Sequence, residues 1–174
     1  MTDAALEAKD WLTRTDYLQE DANSIKRALR HNESKLNIAV SRYDYIGRGH
    51  LDPAEKQKQH EDALIEQSML LEELERIEHK LTKERLITRR VLEQMQKRLC
   101  AAILFDRYIN GITWAELTRK DKYHFSRAQL FRKHTEGLEE LAQILNSDKV
   151  KEIPQQVEKE LSEQRSKIRT QATA

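Results

Sequence analysis

The sequence predicts an all-α protein, and three observations lead to this fold class. Of its 174 residues only four are Gly and two are Pro, too few to end the strands of a β-sandwich, a barrel or a doubly wound α/β fold. Charged residues make up 35% of the chain and hydrophobic residues 38%, so it is too polar to bury a thick three-layer core. Apolar residues recur every three or four positions over long stretches, which is typical of amphipathic helices.

Residues 1–98 are expected to form a long antiparallel helical hairpin that resembles a coiled coil, with its turn at 47–53. Two glycines and an Asp-Pro pair within that turn are signals for ending one helix and starting another. The first helix carries a 3.5-residue apolar repeat interrupted by the polar Asn32. A polar residue in such a seam fixes register or oligomeric state, so the hairpin is a candidate element for homodimer formation or partner docking.

Two further stretches complete the helical prediction. Residues 54–110 contain no Gly or Pro and keep helical spacing, although their apolar stripe drifts at 81–88. A continuous helix and a helix with a bend or break at that point are both open. Residues 147–174 are expected to form a polar tail, with one short helix from Pro154 onward.

Residues 99–146 have the pattern of a helix-turn-helix. Gly111 suits the end of the first helix, and Thr113 with Glu116 has the spacing of a capping box that starts the second. Ser126 is an N-cap for the third, whose first two turns would lie in the major groove of DNA. The candidate DNA-binding residues are Ser126, Arg127, Gln129, Arg132 and Lys133, surrounded by Arg119, Lys120 and Lys122.

The charge distribution favours the same interpretation. The whole chain has a net charge of +1, but residues 83–134 contain 13 basic and 5 acidic residues, whereas residues 53–82 contain 4 basic and 8 acidic residues. A basic block indicates an acidic partner. Because Arg binds guanine, Gln binds adenine and Lys neutralises phosphate, the block predicts binding to double-stranded DNA.

Two stretches of this segment resemble a known family. They are LFDRYINGITWAEL at 104–117 and FSRAQL at 125–130, followed by Leu138. Together they resemble region 4 of bacterial sigma factors, and they are similar to the ArpU-type late-transcription regulators of phages of Gram-positive hosts. Between Thr113 and Ser126 this chain is about two residues longer than that family's pattern.

The resemblance implies a sequence-specific transcription regulator that binds promoter DNA and contacts RNA polymerase in the cytoplasm of a bacterial host cell. It places the five candidates of the third helix at recognition positions, and Thr113, Trp114 and Leu117 at scaffold positions. Two alternatives stay open. One is a phage DNA-packaging subunit similar to small terminases, and the other is a helical protein-interaction module.

Other chemistry is not expected. The sequence shows no catalytic set, no metal-ligand spacing and no phosphate loop, so we expect no enzyme, no metal and no cofactor. Its longest apolar run has seven residues, and we expect no membrane partner. Trp114, His134 and Cys100 are expected to pack in the core, while Phe131 adjoins the apolar face and is either buried or half exposed.

Overall fold

The computed structural model describes residues 2–44, 53–119 and 123–172, which are helical over most of their length. The α-helices are α1 (Asp3–Asp44), α2 (Pro53–Glu93), α3 (Arg98–Leu104), α4 (Trp114–Arg119), α5 (Arg127–Leu145) and α6 (Asp148–Ala172). A π-helical turn, Phe105–Ile109, follows α3 directly. The described ranges contain no strand, and the predicted all-α class is confirmed.

The chain forms two compact units. The middle unit is Leu18–Lys80, and the terminal unit combines Met1–Tyr17 with Leu81–Ala174. The terminal unit therefore draws on all three of the segments predicted from the sequence.

Part of the apolar repeat of α1 is buried in the middle unit. Ala22 is fully buried, and Leu29 is 7% exposed. On α2, Ile77 is buried to the same extent. The polar Asn32 is more buried than these leucine and isoleucine side chains, at 1% exposed, so it lies in the seam as its position in the repeat predicts.

Contacts within this unit link α1 to α2 in reversed order. Asn32 Nδ2 donates a hydrogen bond to the carbonyl oxygen of Ala63 at 2.9 Å, and Lys26 pairs with Glu78 at 2.7 Å. Asn32 Oδ1 is buried and has no hydrogen-bond partner among the described residues. The predicted turn lies outside those residues except for its last position, where α2 begins, and the complete hairpin stays a prediction.

The helical stretch at 54–110 is interrupted, although not at the drifting stripe. α2 continues through 81–88 and ends at Glu93, and helical geometry resumes in α3 at Arg98. Neither Gly nor Pro lies between them. The interruption therefore has no local sequence signal.

A side chain of α5 satisfies the backbone at this interruption. Glu140 Oε1 accepts hydrogen bonds from the backbone N–H groups of Gln96, at 2.5 Å, and Lys97, at 3.2 Å. Met95 is buried beside them, 1% exposed. Because the N–H groups that begin a helix need acceptors, the Glu140 carboxylate stabilises the start of α3 from a distant position in the sequence.

The core of the terminal unit is built from α1, α2, α3, α5 and α6. Its most buried large side chains include Leu12, Val91, Met95, Leu104, Leu138, Leu141 and Val157. α6 contributes three residues to this core, so one side of the predicted polar tail is buried. α6 also begins at Asp148, which places Pro154 inside the helix and not at its start.

Gly137 allows α5 to approach α3 closely. A Cβ atom at this position would lie 3.1 Å from Cys100 Cβ and 3.1 Å from Leu104 Cδ1, which is tighter than ordinary van der Waals contact. Cys100 is buried as predicted, 2% exposed, and burial raises the pKa of its thiol. The contact between α5 and α3 at this point therefore depends on glycine having no side chain.

Replacing Asn32 with leucine should raise the free energy of unfolding by about 1 kcal/mol, because it removes a buried amide with an unsatisfied oxygen. Urea unfolding followed by circular dichroism measures the change. Asn23→Leu, at an exposed position of the same helix, is the matched control and should leave stability nearly unchanged. A less stable Asn32→Leu protein would show that the hydrogen bond to Ala63 outweighs the unsatisfied oxygen.

Candidate nucleic-acid interface

The predicted starts of α4 and α5 are both present. Thr113 N donates to Glu116 Oε2 at 2.8 Å, and Glu116 N donates to Thr113 Oγ1 at 3.3 Å. Gly111 has a φ of +65°, the left-handed geometry for which glycine is favoured after a helix. These signals operate within four residues, which is why the sequence alone identifies them.

The N-cap of α5 uses one of the predicted base-contacting residues. Gln129 N donates to Ser126 Oγ at 3.3 Å, and Ser126 N donates to Gln129 Oε1 at 2.9 Å. This reciprocal pair stabilises the first turn of α5. Gln129 would have to leave the cap before both of its polar atoms could bind adenine.

The remaining predicted residues differ in their surroundings. Arg127 and Arg132 are exposed in the first two turns of α5, and Arg119 is exposed at the end of α4. Lys133 is half-buried and pairs with Glu136 at 2.7 Å. The other two predicted cations, Lys120 and Lys122, lie outside the described residues.

The basic block of the sequence is divided by ion pairs. Arg90 Nη2 lies 2.9 and 2.7 Å from the two carboxylate oxygens of Glu160, and Lys83 pairs with Glu158, so α6 offsets two cations of α2. Arg89 of α2 pairs with Glu93 at 3.1 Å. The block is therefore less positive along α2 than residue counting indicates.

A small core supports α4 and the first turns of α5. It consists of Ile103, Leu117, Tyr123 and Leu130, with Ala102, Ile112, Trp114 and Phe125 partly buried around them. The burial of Leu117 and Leu130, 1% and 0% exposed, fixes one side of each helix. Because Leu130 is buried, the opposite side of α5 is exposed.

Aromatic residues extend this support along α5. Trp114 stacks on Phe131 with ring centroids 4.3 Å apart, and it meets His134 edge-on at 5.0 Å. The Tyr108 hydroxyl lies 3.1 Å from His134 Nε2. His134 is 7% exposed, as expected of a core residue. Phe131 is 37% exposed, so of its two predicted positions, buried or half exposed, it occupies the half-exposed one.

Burial controls the titration of this aromatic group. It lowers the pKa of His134 to about 4, with further contributions from nearby Lys9 and Arg107. It also raises the pKa of Tyr108 to about 12. Both side chains are therefore uncharged near neutral pH, and His134 is a packing residue under those conditions.

A buried carboxylate that the sequence pattern does not predict anchors the connection between α4 and α5. Asp106, in the π-helical turn, is 3% exposed. Its Oδ1 accepts from Asn110 Nδ2 at 2.8 Å, and its Oδ2 accepts from the Tyr123 hydroxyl at 2.9 Å. The available signal was an acidic residue directly after the seven-residue apolar run, where a carboxylate becomes buried and needs donors.

The described part of the chain offers no candidate for a metal site or a membrane span. No group of three or more His, Cys, Asp or Glu side chains there could hold a metal ion. Among the same residues, no helix combines the length and the apolar character needed to cross a membrane.

Comparisons of the chain with known protein families, with curated proteins and with solved structures find no match. The resemblance to sigma region 4 therefore depends on the residues at 104–138 alone. The capped starts of α4 and α5 and the exposed arginines of α5 are observations that do not depend on this resemblance.

Tyr123→Phe should lower the free energy of unfolding by about 1–3 kcal/mol, because a buried carboxylate loses one hydrogen-bond donor. Chemical denaturation of the wild type and the variant measures the loss. Tyr17→Phe is a matched control at a side chain that is 67% exposed, and it should have no effect. Equal stability of Tyr123→Phe and the wild type would mean that the Asp106 hydrogen bond does not anchor this connection.

Acidification from pH 6.5 to pH 4 should destabilise the protein through His134. Its pKa is lower in the folded state, so the folded chain binds fewer protons than the unfolded chain in this window, and stability falls as pH falls. The contribution is roughly 2–3 kcal/mol. Thermal unfolding at several pH values should show a smaller loss for His134→Gln, and identical pH profiles would contradict the assignment.

Proposed function

We propose that this chain is a sequence-specific DNA-binding transcription regulator that contacts double-stranded DNA through the first two turns of α5. The observation that supports this most directly is the division of α5 into two faces. Arg127 and Arg132 are exposed, whereas Leu130, Leu138 and Leu141 are fully buried. A helix held in this way can present its cations to a groove without losing its packing.

The rigidity of the surface favours DNA binding. The Ser126–Gln129 capping box fixes the first turn of α5, and the small core holds α4 against the same helix. Side chains supported by such packing lose less conformational entropy on binding. The positive end of the helix dipole at this terminus also favours a nearby phosphate.

The proposed roles follow from each side chain's surroundings. Arg127 and Arg132 are placed to contact base edges or phosphates from α5, and Arg119, with Lys120 and Lys122, would contact the backbone. Lys133 would first exchange its partner Glu136 for a phosphate. Ser126 caps α5 and would lie beside a bound phosphate.

The partners of the remaining chain are part of the same proposal. RNA polymerase is proposed from the resemblance to sigma region 4. A homodimer through the hairpin is proposed from the apolar side chains that α2 exposes in the middle unit, namely Leu64, Ile65, Met69 and Leu71. Light scattering separates a dimer from the large ring expected of a packaging subunit, and a ring would favour that alternative.

Binding should be sequence-dependent and should weaken steeply with salt. We expect log K to fall with log salt by about 0.9 for each phosphate neutralised. After selection of a bound duplex from a random pool, Arg132→Ala should reduce its affinity by about 1–3 kcal/mol and relax preference at one base pair. Fluorescence anisotropy with a labelled duplex measures both effects.

Arg89→Ala provides a matched control, since it removes an exposed cation that is already paired within α2. Its affinity should equal that of the wild type. Absence of binding to any duplex at low salt, or a flat salt dependence, would refute DNA binding. Binding without sequence enrichment would shift the assignment towards packaging.

A further inference from the structure

Phe131 is an apolar side chain exposed on the surface proposed to contact DNA. It lies in the second turn of α5 and is 37% exposed. Trp114 stacks on its ring with an interplanar angle of 28°, and Trp114 itself packs on the small core. The ring is therefore held in place from the protein side while part of it remains accessible.

Phe131 belongs to a short apolar strip along α5. At about 100° per residue, positions 128, 131 and 135 lie on one side of the helix. Ala128 is exposed. The Thr135 hydroxyl donates to the carbonyl oxygen of Phe131 at 3.0 Å, so the methyl group is the remaining part of this half-buried side chain.

Cations border this strip. The Arg127 guanidinium lies over the Phe131 ring, 5.6 Å from its centroid, and exposed Arg132 follows directly in the sequence. An apolar surface between two cations is complementary to a surface that carries an apolar group between negative charges. In the major groove, thymine presents such a group, its C5 methyl, between the phosphates of the two strands.

The arrangement of the ring favours a methyl group over a stacked base. Stacking on an unpaired base needs an open aromatic face. Trp114 stacks on the Phe131 ring and the Arg127 guanidinium also lies over it, so the ring is already engaged through its face. An edge can meet a methyl group that projects into the groove.

We propose that Phe131 is a specificity-determining residue that selects thymine by contact with its C5 methyl group in the major groove. This inference rests on the proposed function, since it requires α5 to lie in that groove. Arg127 and Arg132 hold the strip against the DNA by contacts on either side. Ala128 and Thr135 offer smaller apolar contacts to neighbouring base pairs.

The test replaces thymine by deoxyuridine, which lacks only the methyl group, one position at a time in the selected duplex. The wild type should lose about fourfold in affinity at the one position that Phe131 contacts, as expected for one apolar group removed from a contact. Phe131→Ala should bind the thymine duplex and the duplex with deoxyuridine at that position equally. Equal wild-type affinity for both, or a ratio unchanged in Phe131→Ala, would overturn the inference.

Two further variants make the result specific. Phe131→Arg keeps a long, helix-compatible side chain and should also bind both duplexes equally, which guards against a folding defect in the alanine variant. Arg132→Ala should weaken both duplexes and keep their ratio. If the wild type binds no duplex, the proposed function is refuted. If it binds in a salt-dependent way but shows no methyl effect, only the role of Phe131 is refuted.

Discussion

The close packing of α5 against α3 at Gly137 is the constraint on which the candidate interface depends. There the added Cβ atom would press on Cys100 and Leu104, so the two helices approach at a distance that larger residues would prevent. One turn earlier His134 meets Tyr108 of the π-helical turn, and one turn later Glu140 binds the start of α3. Contacts on successive turns thus fix the rotation of α5, and with it the face that the first two turns expose.

The features that the sequence predicts are those encoded over a few residues. The capping box at Thr113 and the N-cap at Ser126 are local signals, and the buried position of Asn32 follows from its place in a repeat. Features made by distant residues were not predictable. The interruption before α3 depends on Glu140, and the burial of one side of α6 depends on a core assembled from five helices.

The same distinction applies to the candidate site and its charge. Exposure of Arg127 and Arg132 follows from helical periodicity, which is local. The ion pair of Arg90 with Glu160 joins residues 70 positions apart, and no charge count along the sequence reveals it. Pairing within the folded chain therefore makes α2 less positive than the sequence alone indicates.

The π-helical turn has an evolutionary consequence. Its hydrogen bond from Asn110 N to Phe105 O, at 3.1 Å, spans one residue more than an α-helical bond does. Deleting a single residue there would restore ordinary helical geometry but turn the following segment by about 100° relative to α3. Asp106 would then no longer face Tyr123. Gains or losses of a single residue in this turn should therefore be strongly selected against.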